Sequence, residues 1–159
     1  MTHEDDLGAV ARSIIYRNRF MTLATADAEG LPWASPVWYA PKDPRELFWV
    51  SSPDARHSRN IEVRPQVAIV IFDSHLAGGW ESLYMSAVAE QVEEVDEAIG
   101  IYSTRSVAQG LPAWTRENVV PPGRHRMYRA LVSEHFVLDG LDRRLPVTTE
   151  QLLGDAASP

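Results

Sequence analysis

The chain has 159 residues, of which 45% are apolar and none is cysteine, and its formal net charge is −7. A chain of this size can bury one good hydrophobic core, so we expect a single domain over residues 1–159. No apolar run is long enough to span a membrane and no signal pattern begins the sequence, so we expect no membrane partner. The acidic balance argues against nucleic acid as a partner. The lack of cysteine excludes disulfides and thiol catalysis, which fits a cytoplasmic protein.

The first half of the chain is predicted to be rich in strands. The spacing of Leu7, Val10 and Ile14 is typical of an amphipathic helix, and Gly30 suits a hairpin turn. Because Pro32 and Pro36 cannot donate to a ladder, the second strand must lie at a sheet edge or be irregular. The predicted elements are a helix over residues 7–17, strands over 20–25, 31–40 and 46–51, a turn over 41–44, a helix from Ser52 to about residue 64, and a strand over 66–72.

The second half is predicted to contain two long strands around a helix. These elements are a strand over residues 80–95, a helix over 96–107, a loop over 109–123 and a strand over 126–138. The tail after Gly140 is weakly patterned. Strands in hairpin-like order, with helices inserted rather than alternating, favour a mainly β fold. We therefore expect a six-stranded antiparallel barrel with peripheral helices and not a doubly wound sheet.

The strongest chemical signal lies where the third strand meets the following helix. Ser52-Pro53-Asp54 has the form of a helix N-cap, a proline at the first helical position and an early acid. Hydroxyl groups, free backbone N–H groups and guanidinium groups at one helix N-terminus form a phosphate-binding pattern. The residues concerned are Ser51, Ser52, Arg56, His57, Ser58 and Arg59. The alternative is a capped surface helix with ordinary solvated arginines.

The tryptophans and histidines are weaker signals. Burial alone explains Trp33, Trp38 and Trp49, which are predicted to lie in strands of the core. Trp80 and Trp114 fall in or beside loops. For these two residues, a place at an interface or in a ligand pocket and a purely structural role are about equally supported. The histidines show no metal-ligand spacing, so we expect no metal site. The absence of G-x-S-x-G, P-loop and GxGxxG motifs leaves hydrolase and nucleotide-triphosphate chemistry without support.

The sequence resembles the pyridoxamine 5′-phosphate oxidase-related family of FMN-binding split barrels over about residues 20–139. The resemblance rests on FMTLAT followed by GLPWASPVW, on LFWVSS followed by ARHSRNIEVRPQVAIVIF, and on RMYRALVSEHFVLD. It implies a six-stranded Greek-key split barrel, a homodimer, and two flavins at the dimer interface. Some relatives use the deazaflavin F420 instead of FMN.

The resemblance also implies roles for particular residues. The isoalloxazine ring would lie on Ser35, Pro36, Val37 and Trp38, largely against their backbone. Ser51 and Ser52 would approach the ribityl chain or the phosphate, and Arg56 and His57 would approach the phosphate. Ser58, Arg59 and Trp114 complete the expected cofactor-binding set.

Two departures separate the chain from the oxidases proper. Arg56 and His57 stand where those enzymes often carry adjacent arginine and lysine, and the C-terminal tryptophan and arginine that grip pyridoxamine phosphate have no counterpart. We therefore expect an FMN-dependent oxidoreductase whose small-molecule substrate and catalytic residues the sequence does not name. The alternatives are an F420-dependent reductase and a flavin-binding or storage module without turnover. An aromatic beside several cations suits a planar anionic or carbonyl-bearing substrate, contacted by Arg116, His125 and Arg126 beside Trp114.

Overall fold

The computed structural model describes residues 7–75 and 81–154. Five helices and eight strands lie in these ranges. In chain order they are α1 (Leu7–Arg17), β1 (Phe20–Ala26), β2 (Pro32–Trp38), β3 (Ala40–Asp43), β4 (Glu46–Ser51), α2 (Arg56–Val63), β5 (Gln66–Phe72), β6 (Ser82–Gln91), α3 (Val95–Ala108), α4 (Arg116–Val119), β7 (Arg126–Leu138), β8 (Arg144–Val147) and α5 (Thr149–Leu153).

The strands form one curled antiparallel sheet. The strand order is β2-β1-β5-β6-β7-β4-β3. The short strand β8 lies outside this order and pairs with β7. Every pairing is antiparallel. The expected class, a mainly β antiparallel split barrel with peripheral helices, is confirmed, but the expected strand count of six is wrong because two short strands complete the sheet.

The two additional strands depend on long-range pairing. Residues 41–44 were expected to be a turn, but Ala40 pairs with Phe48 and Pro41 with Leu47, which makes this segment strand β3. In the tail, Val147 pairs with His135 and so forms β8. Short strands of this kind carry little local pattern, because the neighbouring strand supplies their hydrogen bonds.

Buried and more exposed residues alternate along the central strands β1 and β5. On β1 the odd-numbered residues are buried, among them Met21 and Leu23, and β5 buries Ile69 and Ile71 in the same way. These side chains form the main core with the fully buried Trp49. The alternation reflects the two-residue period of a strand with one covered face.

The helix after β4 begins later than the sequence predicts. Ser52 was expected to be its N-cap, but α2 begins at Arg56 with Ala55 as N-cap. Ser52 instead closes a turn, since its carbonyl accepts from Ala55 N at 3.1 Å and its hydroxyl accepts from Asp54 N at 3.2 Å. The carbonyl and the hydroxyl of Ser52 are therefore already hydrogen-bonded within the turn that precedes the helix.

Helix α3 covers the end of the sheet that carries β3 and β4. Its buried Ala98, Ile99 and Tyr102 form a second apolar cluster with Phe48 and Met127. Within the described ranges, no helix has the length and apolar character needed to cross a membrane. The expectation for Trp80 falls outside the described residues.

Candidate functional site

The end of β4 is joined to the first turn of α2 by side-chain hydrogen bonds. The Ser51 hydroxyl lies 2.7 Å from His57 Nε2. The Ser58 hydroxyl donates to the Ser52 carbonyl at 2.7 Å. His57 and Ser58 are buried, and burial lowers the pKa of His57. These four residues, all expected at the cofactor, thus hold the strand end against the helix start, and His57 stays neutral near pH 7.

A buried amide holds α2 against the sheet. Asn60 is 4% exposed, and its Nδ2 donates to Thr25 Oγ1 on β1 at 3.0 Å. The Thr25 hydroxyl in turn donates to the Trp33 carbonyl on β2 at 3.5 Å. Buried polar groups that satisfy one another in this way fix a single arrangement. The contacts determine where the first turn of α2 lies relative to β2, a role for Asn60 that no local sequence signal had indicated.

Arg56 projects from that first turn over an indole ring. Its guanidinium carbon lies 4.5 Å from the centroid of the Trp33 ring, a cation–π distance. Trp33 was predicted to lie in the core, but it is 41% exposed. The prediction failed because Trp33 belongs to an edge strand, where one side of the ring has no neighbouring strand. The prolines on either side of it were the available signal.

Arg56 has no carboxylate partner among the described residues. Ion pairs in residues 7–75 and 81–154 involve other arginines, the lysine and a histidine. Arg59, one turn along, is exposed. The N-cap Ala55 supplies no side-chain hydrogen bond to the helix, so the first-turn N–H groups are uncapped. An uncapped helix start beside an unpaired guanidinium fits an anion.

The outer edge of β2 offers backbone groups. Asp27 N donates to Leu31 O at 3.1 Å, and Tyr39 N donates to Arg19 O at 3.2 Å. Hydrogen-bonded pairs recur at every second residue of an antiparallel ladder, so residues 33, 35 and 37 bond to β1. Pro32 and Pro36 therefore fall where no ladder bond is lost, and this edge carries carbonyl groups and few N–H groups. We refer to residues 33–38, 51–52 and 56–59 together as the β2–α2 surface.

Trp38, the last residue of β2, connects the β2–α2 surface to a row of rings formed by Trp38, Tyr102, Trp114 and His125. Trp38 Nε1 donates to Gln109 Oε1 at 3.0 Å, and the indole packs edge-on against Tyr102 with ring centroids 4.7 Å apart. Tyr102 meets Trp114 at 5.6 Å, and Trp114 meets His125 at 5.6 Å. The structure thus connects Trp38 and Trp114, both expected at the cofactor, with His125, which was expected beside Trp114 at the substrate. Tyr102 and Gln109 carry no motif and were missed.

The two arginines expected at the substrate have local partners. Arg116 forms an ion pair with Asp96 at 2.7 Å on the exposed side of α3. Arg126 Nη1 donates to the carbonyls of Gly123 at 2.7 Å and His125 at 2.5 Å. The structure therefore does not bring Arg116 to the row of rings, whereas Arg126 supports the loop that carries His125.

Comparison with known proteins agrees with this architecture. A family model for pyridoxamine 5′-phosphate oxidase matches residues 7–133. A pyridoxine/pyridoxamine 5′-phosphate oxidase of Rubrobacter xylanophilus is 28% identical over 121 residues, which are 76% of this chain and 54% of that protein. The heme oxygenase HutZ of Vibrio cholerae is 37% identical over 83 residues, which are 48% of this chain and 46% of that protein.

The fold is shared more widely than the sequence. The solved structure of a heme binding protein from Mycobacterium smegmatis matches with a TM-score of 0.71 and 25% identity, over 91% of this chain and 59% of that one. The chain spans about half the length of the curated relatives it matches. Since the family model covers most of the sequence, the chain belongs to the pyridoxamine 5′-phosphate oxidase family.

Proposed function

We propose that the protein binds FMN on the β2–α2 surface and acts as an FMN-dependent oxidoreductase on a small molecule. The observation that carries the proposal is Arg56, a guanidinium held over the Trp33 ring beside an uncapped helix start. In a chain with a net charge of −7, an unpaired cation in that position favours an anionic ligand. Membership of the family supports a flavin as that ligand.

The residues of this surface divide into two groups. Arg56, Arg59 and the first-turn N–H groups of α2 would hold the phosphate. The bonded pair of Ser51 and His57 would keep that turn in place. The ring would lie on residues 35–38 against the backbone edge of β2, with Trp38 at its end. The flavin supplies the redox chemistry, so the protein has to orient the ring and shape the pocket beside it.

The outer face of the sheet supports a homodimer. Even-numbered residues of β1 and β5 point outward and include no charged side chain. On β6 the Arg144 guanidinium lies 4.6 Å from the Tyr84 ring, so the uncharged part of the face is that of β1 and β5. Phe20 and Phe72 on this face are more than half exposed. An uncharged face on an acidic chain suits a self-complementary interface. Such a dimer would place a second copy beside the edge of β2 and cover the flavin.

Heme is a second candidate ligand. The observation that favours it is the relative named heme oxygenase, which is 37% identical over 83 residues. A side chain such as histidine or tyrosine would have to supply the axial ligand of the heme iron. His57 and His135 are buried and hydrogen-bonded, which leaves His75 and His125 as the accessible histidines of the described ranges. Storage without turnover and F420 binding are further outcomes that the same measurement separates.

Titration of the purified apoprotein with FMN, riboflavin, F420 and hemin tests the proposal. We expect FMN to bind at least about tenfold more tightly than riboflavin, because one charge-assisted contact to the phosphate contributes about 1.5–3 kcal/mol. A Soret band at stoichiometric hemin with no flavin binding would support heme instead. Preference for F420 over FMN would identify the deazaflavin. Bound FMN that neither nicotinamide reductants nor candidate substrates reduce or oxidise would identify a storage module.

A further inference from the structure

Resting on the proposed function, we propose that Gln109 is a positioning residue that fixes the indole of Trp38 as the wall of the cofactor-ring site. Trp38 is the last residue of β2, and its side chain leaves the sheet toward α3. Gln109 directly follows the last residue of α3 and is its C-cap. A hydrogen bond of 3.0 Å from Trp38 Nε1 to Gln109 Oε1 joins the end of β2 to the end of α3.

The orientation of the Trp38 ring is determined from two directions. The Tyr102 ring lies at 78° to the indole plane, with the centroids 4.7 Å apart, which restricts the tilt of the indole. The hydrogen bond from Nε1 restricts the remaining rotation, because indole N–H is a donor with only one direction. An indole held by packing alone would retain rotamer freedom, whereas these two contacts select one orientation.

Gln109 is itself held by the backbone around it. Its N–H donates to the carbonyls of Arg105 and Ser106, each at 3.1 Å, at the end of α3. The next segment is tied to the same helix, because the Ser106 hydroxyl donates to the Pro112 carbonyl at 2.6 Å and Trp114 N donates to Ser103 Oγ at 2.9 Å. The acceptor therefore comes from an ordered helix end, which is the support that a precise binding site requires.

Gln109 acts in recognition of the cofactor ring and not of the phosphate. Arg56 lies at the start of α2 and Gln109 at the end of α3, and the two contact different ends of β2 through Trp33 and Trp38. Loss of the Gln109 acceptor should weaken FMN and riboflavin binding by the same factor. Loss of Arg56 should weaken FMN binding alone. A substitution at Gln109 that merely disturbed the fold would also weaken both ligands, so the Trp38 indole resonance and the acceptor-keeping Gln109→Glu variant have to separate that effect from loss of the acceptor.

The first test needs no cofactor. Gln109→Met keeps the length of the side chain and removes the amide oxygen, and Gln109→Glu keeps an acceptor. In ¹⁵N-labelled apoprotein the Trp38 indole resonance is assigned by its loss in Trp38→Phe. We expect Gln109→Met to shift it upfield and speed its hydrogen exchange, while Gln109→Glu keeps the slow exchange of the parent. An unchanged Trp38 resonance in Gln109→Met would overturn the inference.

The second test uses FMN and riboflavin as probes. We expect Gln109→Met to weaken both ligands equally, by about 2- to 10-fold, the range for loss of one neutral hydrogen bond. If the parent binds both flavins and Gln109→Met matches it, the positioning role is wrong and the proposed function stands. If the parent binds neither flavin, the proposed function fails, and the role of Trp38 toward a flavin ring fails with it. A loss confined to FMN would also overturn the assignment.

Discussion

Two buried histidines make the stability of this protein depend on pH. Burial lowers the pKa of both His57 and His135. His135 lies 2.7 Å from the Pro44 carbonyl, and because a carbonyl only accepts, Nε2 carries the proton of the neutral ring. Unfolding exposes both rings, and the unfolded chain then binds protons that the folded chain does not. Stability is therefore complete above the ordinary histidine pKa and is lost as pH falls below it.

Urea unfolding at pH 7 and pH 5 tests this effect. Each such histidine contributes up to about 1.4 kcal/mol per pH unit between its unfolded and folded pKa. We expect His135→Gln, which keeps a donor toward Pro44, to flatten the pH dependence of the unfolding free energy. The matched control is His75→Gln at an exposed histidine, which should keep the parent slope. A parent-like slope in His135→Gln would contradict the assignment.

The local sequence pattern brings several candidate residues to one strand–helix junction, and their roles stay predictions. Arg56 and the serines before it follow from the strand–turn–helix pattern, although the N-cap of the helix is Ala55, three residues after the expected Ser52. The exposure of Trp33 was missed although Pro32 and Pro36 had pointed to an edge or irregular strand, because that signal does not say which side chains the edge leaves uncovered. Gln109 was missed because its partner Trp38 lies 71 residues away in the chain.

At the scale of elements, the two ends of the described chain pack together. Arg12 of α1 donates from Nη1 to the carbonyls of Gln151 at 2.5 Å and Leu152 at 3.0 Å on α5. A Cβ added at Gly8 would lie 1.9 Å from the Gln151 carbonyl oxygen. Helix α1 therefore requires glycine at that position, because α5 lies against its backbone. The tail was expected to be weakly patterned, and its order comes from this contact and from β8.

Gly8→Ala tests the packing of α5. We expect it to lower the unfolding free energy by about 1–3 kcal/mol, the range for overpacking. It should also make the segment after β7 more sensitive to proteases. Gly100→Ala is the control, since Gly100 lies in helix α3 with no atom within 4 Å of an added Cβ. That change should be neutral or stabilise the protein by about 0.5–1 kcal/mol. Equal stability of the two variants would contradict the close approach.

At the scale of the whole molecule, composition and strand order were enough to predict the fold class. Strands that follow one another as hairpins can form only a few antiparallel arrangements, so the fold class follows from local sequence patterns. The curvature that brings α2 to β2 and α3 to the end of β2 depends on long-range register, including a bulge between Ser86 and Ala87. Single-domain organisation stays a prediction, as do the roles of individual site residues.

A charge placed on the outer face of β1 and β5 tests the proposed homodimer. Val70 of β5 is half-buried on that face, opposite Thr22 of β1. Val70→Arg would place a charge in the interface, and we expect light scattering at micromolar concentration to change from the dimer mass to the monomer mass. Val107→Arg, at an exposed valine of α3, should keep the parent mass. A monomeric parent with flavin bound would rule out the dimer.

FMN affinity in Arg56→Ala tests the central claim most directly. Arg45→Ala is the matched control, because it removes the same charge at the turn before β4, the opposite end of that strand from Ser51. Fluorescence titration should show FMN binding weakened about 10- to 100-fold in Arg56→Ala and unchanged in Arg45→Ala, as expected for a charge-assisted contact of about 1.5–3 kcal/mol. Riboflavin affinity should be the same in all three proteins. FMN affinity in Arg56→Ala equal to that of the parent would contradict the account.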